Sequence, residues 1–202
     1  MSPLVSPHFL GTDLLEADQT DNDGEWGALS ALPGNPMMWI LVIGELAVFG
    51  ALLLGFATAR LLDPETFQSS RAHLHPLLAG INTAVLVTSG YLVALGVHRR
   101  QQGRSGRPLI LAAMVLGAVF LGIKAIEYTS LIEAGLGIET NTFFRLYYLI
   151  TGFHALHIVF GIVILAIVCV ADSLENVESG AAFWHMLDLV WVFIYPILYL
   201  VG

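Results

Sequence analysis

The sequence predicts an all-α integral membrane protein built as a five-transmembrane-helix bundle. Three observations carry that expectation. Of its 202 residues, 56% are hydrophobic and only 12% are charged, and the mean hydropathy of +0.77 lies well above the ordinary soluble range. The apolar residues gather into five runs, each near the ~20 residues that a helix needs to cross ~30 Å of hydrocarbon. Lipid cannot satisfy an open strand edge, so these runs are read as helices.

Taken in order, residues 1–36 form a polar, cytoplasmic amino-terminal segment, acidic from Asp13 to Glu25, and residues 37–202 form the membrane domain. The basic flank and short apolar run of a cleaved export signal are missing. Leu32-Pro33-Gly34-Asn35-Pro36 is a turn cluster that delivers the chain to span one, Met37 to Ala59. The link from Leu61 to His75 is long enough for a short surface helix. Span two runs from Leu77 to Val97, and Gly103 to Pro108 turns the chain into span three, Pro108 to Ile132, with proline at the first helical position. Gly135 to Asn141 should form a turn before span four, Leu146 to Val170. Span five, Phe183 to Val201, follows a link from Asp172 to Ala181. Trp26 and Trp184 are expected at headgroup level, whereas Trp191 is too deep for that role. Pro196 removes one backbone hydrogen bond and should bend the last two turns. Gly90, Gly96, Gly117, Gly122, Gly152 and Gly161 permit close helix approach.

The basic residues suggest an orientation. Arg99, Arg100, Arg104 and Arg107 crowd the second link, against Arg60, Arg71 and Arg145 on the opposite side. The positive-inside rule then makes the second link cytoplasmic, which with five spans places the amino end inside and Gly202 outside.

Several chemistries are excluded. A net charge of −8 with eight basic residues argues against nucleic acid as a partner. The single cysteine, Cys169, allows no intrachain disulfide and is expected to pack in lipid-spanning helix. The sequence has no CxxCH, no cysteine array for iron–sulfur and no phosphate-cradling loop.

Polar side chains within the spans hold most of the functional information, because an ionisable group in hydrocarbon is costly unless it meets protein, water or a counter-charge. Glu45, in GELAVFG, is read as a hydrogen-bonded helix contact, a subunit or lipid contact, or part of a proton route. Lys124, Glu127 and Tyr128 share a helix face by their three- and four-residue steps. Internal charge compensation pairs Lys124 with Glu127, and near the outer end of the span the lysine can also reach polar headgroups. Thr151, His154, His157 and Gly161 line one stripe of span four; His185, Asp188, Tyr195 and Tyr199 line another on span five. His154 and His157, with His185 and Glu127, could offer metal ligands or non-covalent haem ligation. The competing reading is a satisfied network, in which the imidazoles bond Glu127, Asp188 or a helix carbonyl. Depth separates His185 and Asp188 from the span-four pair, so one cluster of three histidines is not expected. Glu127 falls near their level and is the first carboxylate to test.

Three stretches carry a resemblance to subunit III of the haem–copper oxidases: GELAVFG with Glu45, TGFHALHIVFG with His154 and His157, and FWHMLDLVWVFIYPILYLV with Trp184, His185, Asp188 and Trp191. KAIEYTSLI, with Glu127 and Tyr128, resembles the family's Glu-Tyr pair. Within that family LPGNPMMWILVIGELAVFG, AGLGIETNTFF and ENVESGAAFWHM are most similar to the NorE-type accessory branch encoded with bacterial nitric oxide reductases. Ala155 stands where many relatives have glycine.

The resemblance implies a bacterial inner-membrane subunit with no catalytic residues, haem, copper or other metal of its own. It would dock on a haem–copper catalytic subunit I, which would hold the haem with copper or non-haem iron, in company with other respiratory subunits and membrane lipid. Glu45, Lys124, Glu127, Tyr128, His154, His157, Trp184, His185 and Asp188 would then serve as a polar network or subunit contact. Nitric oxide reductase in denitrification is the first partner implied; a terminal quinol or cytochrome c oxidase is the alternative. Longer relatives carry two further amino-terminal helices that help enclose a phospholipid cleft, which five spans would not reproduce intact.

Overall fold

A computed structural model describes residues 36–171 and 173–201. Trp26 and the predicted amino-terminal segment up to Asn35 lie outside the described residues. Five long helices are apolar enough to cross a membrane, joined by one short surface helix: α1 Pro36–Leu62, α2 Pro64–Arg71, α3 Pro76–Gln101, α4 Arg107–Glu133, α5 Thr142–Ala171 and α6 Leu174–Tyr195. The described chain ends in a π-helical turn, Pro196–Leu200.

Helix boundaries follow local chemistry. Pro64 opens α2, Pro76 opens α3 and Pro108 stands in the first turn of α4, positions where a missing N–H removes no intrahelical bond. Asp63 caps α2 by accepting from the Thr66 N–H at 3.3 Å, and Ser173 caps α6 by accepting from the Asn176 N–H at 3.2 Å. Gly103 and Gly135 turn the chain after α3 and α4 with φ of +71° and +77°, a region where a Cβ is strained. The predicted spans are therefore found, the first four extended by one to four residues at their ends. Span five differs more. It begins at Leu174 rather than Phe183, because the Ser173 cap starts the helix before the apolar run does.

α3, α4, α5 and α6 pack around one another in a ring, each mainly against two of the others, and α1 lies more loosely on α5 and α6. The core contains Phe49, Leu86, Phe120, Ile158, Trp184 and Trp191. Many large apolar side chains face outward, among them Leu54, Val115, Ile126, Ile167 and Val170. Such a surface suits a solvent of acyl chains or another membrane subunit.

Glycine sets the closest approaches. A Cβ on Gly117 would stand 2.7 Å from Trp184 Cη2, and one on Gly161 2.8 Å from Leu187 Cδ1 and 2.9 Å from Trp184 Cε3. Gly90 presses against the Asp188 carboxylate and Gly96 against Ile110. Gly122 faces open space and Gly152 meets only the Tyr128 hydroxyl, so these two do not act as close-approach sites. Trp184 is fully buried between Gly117 and Gly161, which corrects its expected place at headgroup level. The longer α6 puts it ten residues, about 15 Å, inside the helix.

Candidate functional site

Among the described residues two polar centres share α5, with the His154 imidazole between them along that helix, and a third pair lies on α6. The first joins α4, α5 and the terminal turn. Lys124 Nζ donates to Glu127 Oε2 at 2.9 Å, to the Tyr199 hydroxyl at 3.0 Å and to the Tyr147 hydroxyl at 3.1 Å. An ammonium has three donors, and all three are used. Tyr199 in turn donates to Glu127 Oε1 at 2.8 Å. The Lys124 and Glu127 side chains are each 2% exposed. Aromatic faces complete the cage, with the Tyr128 and Tyr147 ring centroids 4.8 and 5.0 Å from Nζ. Tyr128 shares a 2.6 Å hydrogen bond with Thr151.

The predicted Lys124–Glu127 pair is thus present, but its lysine points inward rather than toward headgroups. Tyr147 was not singled out in the sequence. Its signal was its place four residues before Thr151 and seven before His154, on the same stripe of α5. Tyr199 reaches the site because the backbone widens after Pro196, where the Val201 N–H bonds back to Pro196 O at 2.8 Å.

The second centre joins α1 to α5. His157 Nε2 lies 3.1 Å from Glu45 Oε2, an ion-pair distance although out of line for a hydrogen bond. Its Nδ1 stands 2.8 Å from Phe153 O, and a carbonyl can only accept, so Nδ1 carries a proton. The carboxylate that meets His157 is therefore Glu45, not Glu127, which is occupied by Lys124 and Tyr199.

His154, one helical turn earlier, departs from the expected hydrogen-bonded network. It is fully buried, and among the described residues neither ring nitrogen has a hydrogen-bond partner. It stacks on Trp191 with centroids 5.1 Å apart and meets the Phe120 and Phe49 rings at 5.7 and 6.0 Å. Trp191 spends its own N–H on Thr83 Oγ1 at 3.0 Å. Toward the other end of α6, His185 Nδ1 lies 3.4 Å from Asp188 Oδ2, and the pair sits against Gly90. Among the described residues no three His, Cys, Asp or Glu side chains gather to hold a metal ion. The polar groups of α3 stitch it to α4: Asn82 donates to Phe120 O at 3.3 Å and Ser89 to Ala113 O at 2.8 Å.

A buried ion pair that closes upon itself, on an otherwise lipid-compatible bundle, defines a multi-pass membrane protein held by internal polar contacts. The comparisons place it more narrowly. Residues 37–202 match the family described as cytochrome c oxidase subunit III, and the chain belongs to that family. It is similar to a "Cytochrome c oxidase subunit 3" of Thermostichus vulcanus, with 27% identity over 80% of this chain and 84% of the relative. A "Probable quinol oxidase subunit 3" of Staphylococcus epidermidis is 25% identical over 93% of this chain and 96% of the relative. A "Heme-copper oxidase subunit I+III" of Aeropyrum pernix is 28% identical over 81% of this chain, which spans 22% of that fused protein.

Proposed function

We propose that this chain is a non-catalytic subunit of a haem–copper oxidase complex in a bacterial inner membrane, docked on a catalytic subunit I that holds the metal centres. The observation that carries the reading is the Aeropyrum pernix relative, whose name joins a subunit I and a subunit III in one polypeptide. Two features of the bundle support it: Lys124 and Glu127 satisfy each other and two tyrosines, and the lightly packed α1 leaves a broad apolar face for a neighbour. Purification in mild detergent is expected to recover a larger haem-containing complex. The chain alone should show no haem absorbance, and stoichiometric haem or copper on it would overturn the reading.

For the partner's substrate, the names of the relatives favour an oxygen-reducing quinol or cytochrome c oxidase. A nitric oxide reductase is the second reading, motivated by LPGNPMMWILVIGELAVFG, AGLGIETNTFF and ENVESGAAFWHM. Mass spectrometry of the co-purifying subunit I, with turnover measured on oxygen and on nitric oxide, separates the two. Within this reading the Glu45–His157 pair influences the partner's proton handling. Glu45→Gln is expected to leave the bundle folded and alter turnover or its pH dependence. An unchanged profile would remove Glu45 from the function while leaving the docking role intact.

A further inference from the structure

At the end of the bundle where α1 finishes and α5 begins lies a cavity of about 310 Å³ between α1, α2, α5 and the terminal π-helical turn. Its size is at the small end of ligand-binding cavities, roughly 300–1,000 Å³. The composition is two-sided. Arg60, Arg71 and Gln68 supply hydrogen-bond donors, while Phe56, Phe67 and Phe143 supply an apolar wall, packed edge to face with centroids 5.1 to 5.8 Å apart. Among the described residues no carboxylate lines it.

The two guanidinium groups differ in employment. Arg71 donates one bond, from Nη1 to Leu200 O at 3.0 Å, which leaves its other donors to serve elsewhere. Arg60 is half-buried, and among the described residues it has neither a hydrogen-bond nor an ion-pair partner. The nearest acids in sequence do not supply one: Asp63 accepts from the Thr66 backbone, and Glu65 is exposed and outside the cavity. Each arginine stands in the last turn of its helix, where the helix dipole favours a cation. That accounts for positive charge at these positions, but not for two such groups converging on one aromatic-walled cavity.

We infer that this cavity binds the phosphate of an anionic membrane phospholipid, with Arg60 and Arg71 on the phosphodiester and the phenylalanine wall against the start of the acyl chains. The bilayer supplies such a ligand at this depth, because Leu61 and Leu62 beside Arg60 are exposed and mark the edge of the apolar belt. Guanidinium donors suit phosphate oxygens in pairs, and the adjoining apolar wall distinguishes an esterified phosphate from a free one. The site belongs to this chain's own residues and does not depend on which oxidase is the partner.

The test uses the full chain, purified in neutral detergent, stripped of lipid and titrated with phosphatidylglycerol, phosphatidylcholine or inorganic phosphate, with binding read by native mass spectrometry. Phosphatidylglycerol should bind about tenfold more tightly than phosphatidylcholine, and Arg60→Gln or Arg71→Gln should bring the two lipids within about twofold. Arg60→Lys should keep part of the preference, and Arg145→Gln, exposed at the same end of the bundle, should keep all of it. Thermal unfolding without added lipid should be the same for Arg60→Gln and wild type. Equal binding of both lipids, an undiminished preference in Arg60→Gln, or displacement of phosphatidylglycerol by equimolar phosphate would overturn the proposal. So would a variant destabilised without lipid but unchanged in preference, which would assign Arg60 to the helix end alone.

Discussion

Lys124 shows how a buried cation is made tolerable: three N–H groups meet one carboxylate and two hydroxyls, and four aromatic rings lie within 6 Å. Removing one partner is then worse than removing both. Lys124→Met leaves the Glu127 charge 2% exposed and without its counter-ion, and should cost about 3–5 kcal/mol in reversible unfolding from mixed micelles. Lys124→Met combined with Glu127→Leu should recover most of that loss; equal instability of the single and double variants would contradict the buried-charge account. Tyr199→Phe removes the hydroxyl shared by Lys124 and Glu127 and should cost about 1–3 kcal/mol in the same assay. The sequence makes the Lys124–Glu127 pair legible, since both residues belong to one helix at a three-residue step. Glu45 opposite His157 was not legible, because that pairing depends on how α1 turns toward α5. The unpartnered buried state of His154 is likewise a property of its neighbours Trp191, Phe120 and Phe49.

Elements meet where side chains are smallest. Gly161→Ala and Gly117→Ala should each destabilise the bundle by about 1–3 kcal/mol through overpacking against Trp184, observed as earlier unfolding in detergent. Gly122→Ala meets nothing within 4 Å and should be neutral or stabilising by up to about 1 kcal/mol, from the better helix propensity of alanine. If all three substitutions behaved alike, backbone propensity rather than close approach would govern these positions. All six glycines look equivalent in sequence because helix rotation decides which of them face a neighbour. The start of α6 teaches a related lesson: Ser173 with Asn176 was a readable cap signal, but the polar residues Glu175, Asn176 and Glu178 masked it by postponing the apolar run to Phe183. Pro196 marked the end of regular α-helix correctly, whereas the inward placement of Tyr199 required the widened turn itself.

For the whole molecule, the charge pattern makes an orientation testable. In a Cys169→Ala background, Gln102→Cys should be labelled by an impermeant thiol reagent only from the cytoplasmic side, and Glu139→Cys only from the outer side; both residues are exposed, on turns at opposite ends of the bundle. The reverse pattern would refute the assignment from the second link. Five apolar runs, their turns and their polar stripes follow from the sequence by itself, since hydrocarbon thickness sets span length and backbone hydrogen bonding in lipid demands helices. Its motifs also pointed to the subunit III family, to which residues 37–202 belong. Tertiary structure alone decided which polar groups met, which glycines took a tryptophan, and where Arg60 and Arg71 converged. Those outcomes depend on the rotation and crossing of whole helices, and lipid leaves that choice to side-chain packing and buried polar contacts between them.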